Sequence, residues 1–164
     1  MQNQTYFSDF SKRQFTRTLA LFSILLIGWT LPSYARTGGD MGVGFVAGNS
    51  SGLSGKIWLG ETNALDLTLG LNVLDNWLAL NADYLWHEFG LIRVPQGKLP
   101  VFYGMGVWAA VANHGGIGVR GVVGIEYLFP NAPLDAFFEI CPGISVLPGT
   151  HFGADVGLGM RYFF

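Results

Sequence analysis

The strongest constraint on the fold is a strict alternation over residues 152–164, FGADVGLGMRYFF. With a period of two, one row of side chains is entirely apolar and ends in aromatic rings. The other row is glycine or charged, apart from Phe163. Successive side chains of a β-strand point to opposite faces, so the segment predicts a strand with one apolar and one polar face. The apolar row consists of Phe152, Ala154, Val156, Leu158, Met160, Tyr162 and Phe164.

Seven earlier segments alternate in a similar way and are separated by turn-forming residues. The clearest is residues 64–73, where five large aliphatic side chains alternate with Asp66, Thr68, Gly70 and Asn72. Trp108 falls on the glycine row of its segment, so its direction stays open, and Pro142 predicts a local break or bulge because proline cannot donate to a ladder. The predicted strands cover residues 40–47, 53–59, 64–73, 77–88, 101–111, 117–128, 134–146 and 152–164.

Composition favours strands whose apolar face contacts lipid. The chain of 164 residues is 50% hydrophobic and only 12% charged, and its mean hydropathy is +0.37. Beyond residue 35, however, no run of about 18 apolar residues could form a membrane helix. High hydropathy without such a run is typical of a membrane β-barrel, whose strands expose every second side chain to lipid.

The N-terminal segment has the layout of a secretory signal peptide. Lys12, Arg13 and Arg17 precede an apolar run over residues 19–27, and small residues at positions 33 and 35 fit a cleavage site. We therefore predict a Sec-type signal peptide over residues 1–35 and a mature barrel over residues 36–164. An uncleaved signal anchor is the alternative.

Charge placement predicts which face of the strands points inward. An Arg or Lys on the lipid face costs about 2–4 kcal/mol near the membrane midplane, so the charged row is expected to face the interior. Arg120 and Arg161 are expected to bridge several acids in a structural plug of salt bridges, while an excess of acids leaves a narrow proton or cation path as the alternative. The predicted interior charge network is Asp66, Asp83, Arg120, Glu126, Asp135, Glu139, Asp155 and Arg161.

The signal peptide, eight alternating strands and terminal aromatic residue together resemble the small eight-stranded bacterial outer-membrane barrels of the OmpA transmembrane-domain type. The second half also resembles a little-characterised family of predicted outer-membrane barrels, through residues 102–106, 118–121, 124–129, 138–143 and 157–164. The resemblance implies an all-β, eight-stranded, antiparallel up-and-down transmembrane barrel. The last strand would carry the targeting residues for the barrel-assembly machinery, namely Leu158, Met160, Tyr162 and Phe164.

No residue pattern predicts catalysis or a cofactor. The resemblance to lipid-modifying barrels would require a histidine with a nearby serine, and His87, His114 and His151 lack one two positions later. Their scattered spacing also fits no metal site, and loop or rim positions are expected for them. The single cysteine, Cys141, has no disulfide partner in the chain. The net charge of −2 and the absence of a basic patch give no indication of nucleic-acid binding.

The expected function is that of an integral outer-membrane barrel with a structural or surface-interaction role and a side-chain-filled interior. Lipid is the expected surrounding, and an extracellular protein is a possible partner. The alternatives are a narrow pore for small solutes or ions and a soluble, ligand-binding periplasmic barrel. If both ends of the barrel segment are periplasmic, residues 48–52, 74–76, 112–116 and 147–151 form short outer loops. The long connection over residues 89–99 then lies on the periplasmic side, where it either caps the barrel or indicates an error in the strand count.

Overall fold

The computed structural model describes residues 38–164, except residues 50, 73–76 and 112–114. The predicted signal peptide lies outside these residues. In the described part, eight antiparallel strands close into one barrel in sequence order, β1 to β8, which confirms the predicted all-β fold and the strand count. The strands are β1 Met41–Gly48, β2 Gly52–Trp58, β3 Asn63–Asn72, β4 Trp77–Glu88, β5 Val101–Val111, β6 Gly116–Leu128, β7 Leu134–Leu147 and β8 His151–Phe163.

Alternation decides which side chains enter the barrel. On β3, Asp66 and Thr68 are buried inside, whereas Leu67 and Leu71 are exposed on the outer wall. The other strands repeat this arrangement. The outer wall is therefore apolar on every strand and the interior holds the charged side chains, as the alternation predicts. Among the exposed outer side chains are Phe45, Leu53, Leu80, Met105, Val119, Ile125, Ile140, Leu158 and Tyr162.

The strands close with a pronounced stagger. Gly44 on β1 pairs with Ser54 on β2 and with Arg161 on β8. When the register is followed from Ser54 through the intervening strands, it reaches β8 at His151 instead of Arg161. Such a stagger requires the strands to tilt against the barrel axis, which sets the barrel radius. An eight-stranded barrel of this kind has an interior just wide enough for side chains.

The irregularity predicted at Pro142 takes a different form. Pairing between β6 and β7 is interrupted between Arg120–Gly143 and Val123–Ile140, but the register is the same on both sides of the gap. This fits proline, which has no N–H to donate to the ladder. The register instead shifts between Ile117 and Gly118, near the beginning of β6. The prediction of a local break at Pro142 is thus confirmed, whereas the bulge lies elsewhere.

The two ends of the barrel are closed to different extents. We call the end where β1 begins and β8 finishes the near end, and the opposite end the far end. At the near end Trp58, Ala64 and Phe163 form a buried cluster against which Phe89 packs. Phe89 belongs to the long connection between β4 and β5, so this connection covers the near end and its length does not reflect an error in the strand count. An isolated bridge between Lys98 and Leu128 fastens it to β6.

Inward-facing apolar side chains fill part of the interior. The alternation places them inside, although their chemistry alone favours the outer wall. The buried cluster consists of Val46, Leu85, Phe102, Val122, Phe137 and Cys141. The filled interior therefore has an apolar part as well as a charged part.

Candidate functional site: the charged interior of the barrel

Lys56, His87 and Glu126 form a sealed cluster near the near end. Lys56 Nζ donates to Glu126 Oε1 and Oε2, both at 2.7 Å, and lies 2.9 Å from His87 Nε2. His87 Nδ1 is 3.1 Å from the carbonyl oxygen of Thr62, which can only accept, so Nδ1 carries a proton. Its Nε2 lies within hydrogen-bond distance of both Lys56 Nζ, at 2.9 Å, and Glu126 Oε2, at 3.1 Å.

Aromatic rings close this cluster on the remaining sides. Lys56 Nζ lies 4.5 Å from the ring centroid of Trp58 and 5.6 Å from that of Phe102. The Trp58 and His87 ring centroids are 4.3 Å apart. Lys56 and Glu126 have no exposed surface. A lysine so buried requires a paired anion and ring faces to replace its lost hydration, and it has both.

Arg161 is the hub of the network, because its guanidinium reaches acids on three other strands. Nε donates to Asp135 Oδ2 at 2.9 Å on β7, and Nη2 donates to Glu126 Oε1 at 3.3 Å on β6. Nη1 donates to Asp66 on β3 and lies 3.4 Å from Ser54 Oγ on β2. The backbone N–H of Arg161 also donates to Asp135 Oδ1 at 3.0 Å. Strand alternation and the stagger together bring these side chains to one level of the barrel.

One face of the Arg161 guanidinium packs against an aromatic ring. Arg161 Cζ lies 3.9 Å from the ring centroid of Phe137. Space for that ring comes from Gly159, where a Cβ would lie 2.3 Å from a Phe137 ring carbon. Arg161 is consequently 1% exposed.

Arg120 and Asp83 form a second, separate pair. Arg120 Nε donates to Asp83 Oδ1 at 2.8 Å and Nη2 donates to Asp83 Oδ2, which is the bidentate geometry favoured by a guanidinium and a carboxylate. The two strands concerned, β4 and β6, are not neighbours in the sheet. The pair therefore spans the interior across β5, whose residue at this level is Gly106. A Cβ at Gly106 would lie 2.1 Å from Asp83 Oδ1, so the glycine makes the pair possible.

The last two residues of the predicted network have no such partners. Among the residues that the structure describes, neither Glu139 nor Asp155 has an ion pair or a side-chain hydrogen bond. Glu139 is buried and Asp155 is half-buried. The buried amide nitrogen Asn81 Nδ2 likewise has no hydrogen-bond partner within the described part of the chain. Asn81 and Asp155 lie in the halves of β4 and β8 toward the far end, whereas Glu139 lies nearer the middle of β7.

Two members of the sealed cluster are absent from the interior charge network that the sequence predicts. Lys56 and His87 are both buried inside, although His87 was expected at a rim or in a loop. That expectation was wrong, and the signal that contradicts it was available, because His87 shares its row on β4 with Asp83. His151, in contrast, is exposed as the first residue of β8, and His114 lies outside the described residues.

Trp108, whose direction the sequence left open, points into the barrel. A Cβ at Gly118 would lie 2.5 Å from Trp108 Nε1, and the ring also lies close to Gly116 and Gly143. The indole therefore packs against glycine residues of β6 and β7. It lines a cavity of about 250 Å³ at the far end together with Arg120, Cys141 and Asp155.

The described residues contain no group of three or more His, Cys, Asp and Glu side chains arranged to hold a metal ion. Within the same residues no helix has the length and apolar character needed to cross a membrane. The paired groups of the network are saturated by one another, which suits a structural role better than acid–base chemistry. Breaking such a buried pair by removing one partner typically costs about 3–5 kcal/mol.

The chain matches no protein-family model and no curated protein sequence. Among solved structures it is similar to the N-terminal β-barrel domain of Pseudomonas aeruginosa OprF. The two share 16% sequence identity with a TM-score of 0.48, over 74% of this chain and 93% of that domain.

Proposed function

We propose that the chain is an integral protein of the bacterial outer membrane, with a structural or surface-interaction role and a barrel interior filled by side chains. One observation carries this proposal, namely the inside-out distribution of side chains. Large apolar groups are exposed on all eight strands, while the charged network is buried. In water such an outer wall would be an apolar patch far larger than the few hundred Å² that soluble monomers expose.

The same distribution argues against a soluble, ligand-binding periplasmic barrel. Such a barrel would have an apolar interior and a polar outer wall. Here the outer row of β8 contains Leu158, Met160 and Tyr162, all exposed, and the inner row contains the buried Arg161. Burying Arg161 instead of Leu158 makes sense when lipid surrounds the barrel, because an arginine facing lipid at the midplane costs about 2–4 kcal/mol.

An aromatic belt on the outer wall near the near end agrees with this surrounding. The Trp86 and Tyr103 rings are stacked with centroids 6.0 Å apart, and Tyr84 meets Trp86 edge-on at 4.8 Å. Aromatic side chains with a polar tip are enriched where a membrane wall meets water. We therefore assign this belt to one membrane interface. We also propose that the near end, where β1 begins and β8 finishes, is periplasmic, as expected if both ends of the barrel segment lie on that side.

Further partners follow from the outward row of β8. We assign recognition by the barrel-assembly machinery to Leu158, Met160, Tyr162 and Phe164, which are exposed together on one face. The far-end connections are short, so a large adhesive surface is not expected there. An extracellular protein partner would have to engage the rim and the short loops.

Membrane fractionation combined with gel mobility tests the location. We expect the protein to stay in carbonate-washed outer membranes and to migrate faster unboiled than boiled, because closed barrels resist unfolding by detergent. A soluble periplasmic protein and an inner-membrane protein serve as fractionation markers. Release by carbonate, or identical mobility with and without boiling, would contradict the proposal.

A narrow pore is the second candidate, and the sealed near end argues against it. Lys56, Glu126 and Arg161 fill that level of the interior, with Trp58 and Phe163 beyond them. We expect planar-bilayer recordings of the refolded protein to show no conductance above background. Reproducible channel openings would favour the pore.

A further inference from the structure

The strands at the far end of the barrel do not all stop at the same level. β8 pairs with β7 up to its first residue, His151. Its ladder with β1 ends at Gly157, beyond which one hydrogen bond of 3.3 Å joins Asn49 N–H to the carbonyl oxygen of Val156. Residues 151–155 of β8 therefore continue past the β1–β2 hairpin, and no strand of the described residues pairs with them on that side.

The free edge of β8 presents four backbone hydrogen-bonding groups. In an antiparallel ladder the N–H and C=O groups of one residue point to the same side of the strand, and the sides alternate along the chain. The carbonyl of Val156 points toward β1, so the N–H and C=O groups of Phe152 and Ala154 point to the same, open side. Such an edge is a template for pairing with another extended strand.

The inner row of this edge is complementary in charge to the same edge of a second copy. When two copies pair antiparallel with Gly153 opposite Gly153, His151 of each copy lies opposite Asp155 of the other. His151 is exposed, and Asp155 has no ion pair among the described residues. Opposite residues on one face of an antiparallel pair have Cβ atoms about 4.5–5.5 Å apart, close enough for an imidazole and a carboxylate to interact.

The outer row and the backbone fit the same register. Phe152, which is 82% exposed, lies opposite the small Ala154 of the other copy. These two residues also form the hydrogen-bonded pairs, so the register uses all four free groups of each edge. At the centre Gly153 has no side chain, and a Cβ there would meet nothing within 4 Å, which leaves room for a second backbone.

We propose that two copies of this chain associate by antiparallel pairing of residues 151–155 of β8, about a two-fold axis at Gly153. A strand paired antiparallel with its own copy runs in the opposite direction, so the two barrels face each other with their far ends. The β8 strand of the other copy then occupies the space beyond the short β1–β2 hairpin.

This inference deepens the proposed surface-interaction role, and it rests on the proposed function for the setting of the contact. With the near end periplasmic, the far ends lie outside the cell, and the pairing joins two facing outer membranes. An edge of five residues is a small contact, so many copies on each membrane would have to act together.

Disulfide trapping tests the register. Gly153→Cys is made in a Cys141→Ala background, because opposite residues of a non-hydrogen-bonded pair have Cα atoms about 4.5 Å apart, within the range of a disulfide. The control is Thr150→Cys, an exposed position at the same end, whose copies would lie about 20 Å apart at roughly 3.4 Å per residue. After oxidation in detergent micelles, we expect at least about ten times more covalent dimer from Gly153→Cys. Equal yields from the two variants, or no dimer from Gly153→Cys, would overturn the proposal.

A charge exchange tests whether the partner is a second copy. His151→Asp places two carboxylates opposite each other, and we expect it to weaken dimerisation in detergent, measured by sedimentation equilibrium, by at least about tenfold. Adding Asp155→His to the same chain exchanges the two groups and should restore the dimer to within about threefold. A dimer unaffected by His151→Asp, or not restored by the exchange, would contradict this register.

The heat-modifiable gel shift separates this inference from the proposed membrane location. A protein that keeps the gel shift but sediments as a monomer at every concentration overturns the pairing and leaves the location standing, with the edge open to a different extended partner. A protein that forms the trapped dimer but is released from membranes by carbonate supports the pairing and contradicts the location.

Discussion

Asp66 and Asp83 are opposite residues on the β3–β4 ladder, yet each is bound by a different arginine. Arg161 reaches Asp66 from β8, and Arg120 reaches Asp83 from β6. Two carboxylates placed opposite each other on one face would repel. The two guanidinium groups, approaching from different sides of the interior, relieve this repulsion and divide the network into two parts.

The division predicts selective energetic coupling. In a double-mutant cycle with Asp83→Asn and Arg120→Gln, we expect a coupling energy of about 0.5–3 kcal/mol, because the two groups share a bidentate contact. The cycle of Asp66→Asn with Arg120→Gln should give less than about 0.5 kcal/mol. The free energy of unfolding by urea in lipid vesicles provides the measurement. Equal coupling in both cycles would show that the network is one unit.

Loss of the hub should be more damaging than loss of any exposed charge. Arg161→Ala leaves Asp66, Glu126 and Asp135 without a shared cation, so we expect the free energy of unfolding to fall by at least about 3 kcal/mol. The exposed Arg93→Ala is the control and should change it by less than about 0.5 kcal/mol. The free energy of unfolding of both variants is measured by the same urea titration in vesicles. The difference in gel mobility between folded and unfolded protein is the readout. A loss below about 1 kcal/mol for Arg161→Ala would mean that the acids find other partners.

The close packing of the Trp108 indole against glycine residues can be tested by adding a side chain at one of them. Gly118→Val would place a methyl-bearing carbon against the indole, since a Cβ there already lies 2.5 Å from Trp108 Nε1. We expect about 1–3 kcal/mol of destabilisation from overpacking and a shifted emission of Trp108. Gly153→Val is the matched control on the inner row of β8, because a Cβ at Gly153 meets nothing within 4 Å. Equal effects of both variants would attribute the loss to the strand position instead of the indole.

If the apolar outer wall faces lipid, a charge placed on it should hinder folding into a membrane. Val123→Arg places a charge in the middle of β6 on the exposed apolar face, and we expect it to reduce the free energy of folding into vesicles by about 2–4 kcal/mol. Leu91 is 68% exposed in the connection between β4 and β5, outside the strands, so Leu91→Arg should be tolerated. The two variants are compared by their folding yield and by the urea midpoint of unfolding, both measured in vesicles. Tolerance of Val123→Arg would contradict a lipid-facing β6.

The sequence alone was sufficient to predict the strands and their inward rows, because a strand has a side-chain period of two. It was also sufficient to place Arg120, Arg161 and the acids on inward rows. It could not predict which of them pair. The contact between Asp66 and Arg161 depends on the stagger that accumulates around the closed barrel, and no single strand carries that information. Phe137 and Val122 show a related limit, because an apolar residue on an inward row looks like an irregularity until its packing partners are known.

His87 illustrates a different kind of error. Its row on β4 indicated the interior, but its chemistry and its position near the strand end favoured a rim. The deciding factor is Lys56 on β2, whose ammonium group needs acceptors once it is buried. That need becomes apparent only when β2, β4 and β6 are seen to converge at one level.

The position of Arg161 on the final strand has a consequence for the order of assembly. Asp66, Glu126 and Asp135 lie on strands that precede β8 in the chain, so in a partly formed sheet these carboxylates face an open, hydrated groove. The guanidinium that binds all three of them arrives when β8 pairs with β1 and β7. Closure of the wall and formation of these three ion pairs are therefore one event. A chain whose last strand has not docked retains a charged, water-filled seam that resists entry into lipid, and the barrel becomes fully compatible with the membrane only when it is complete.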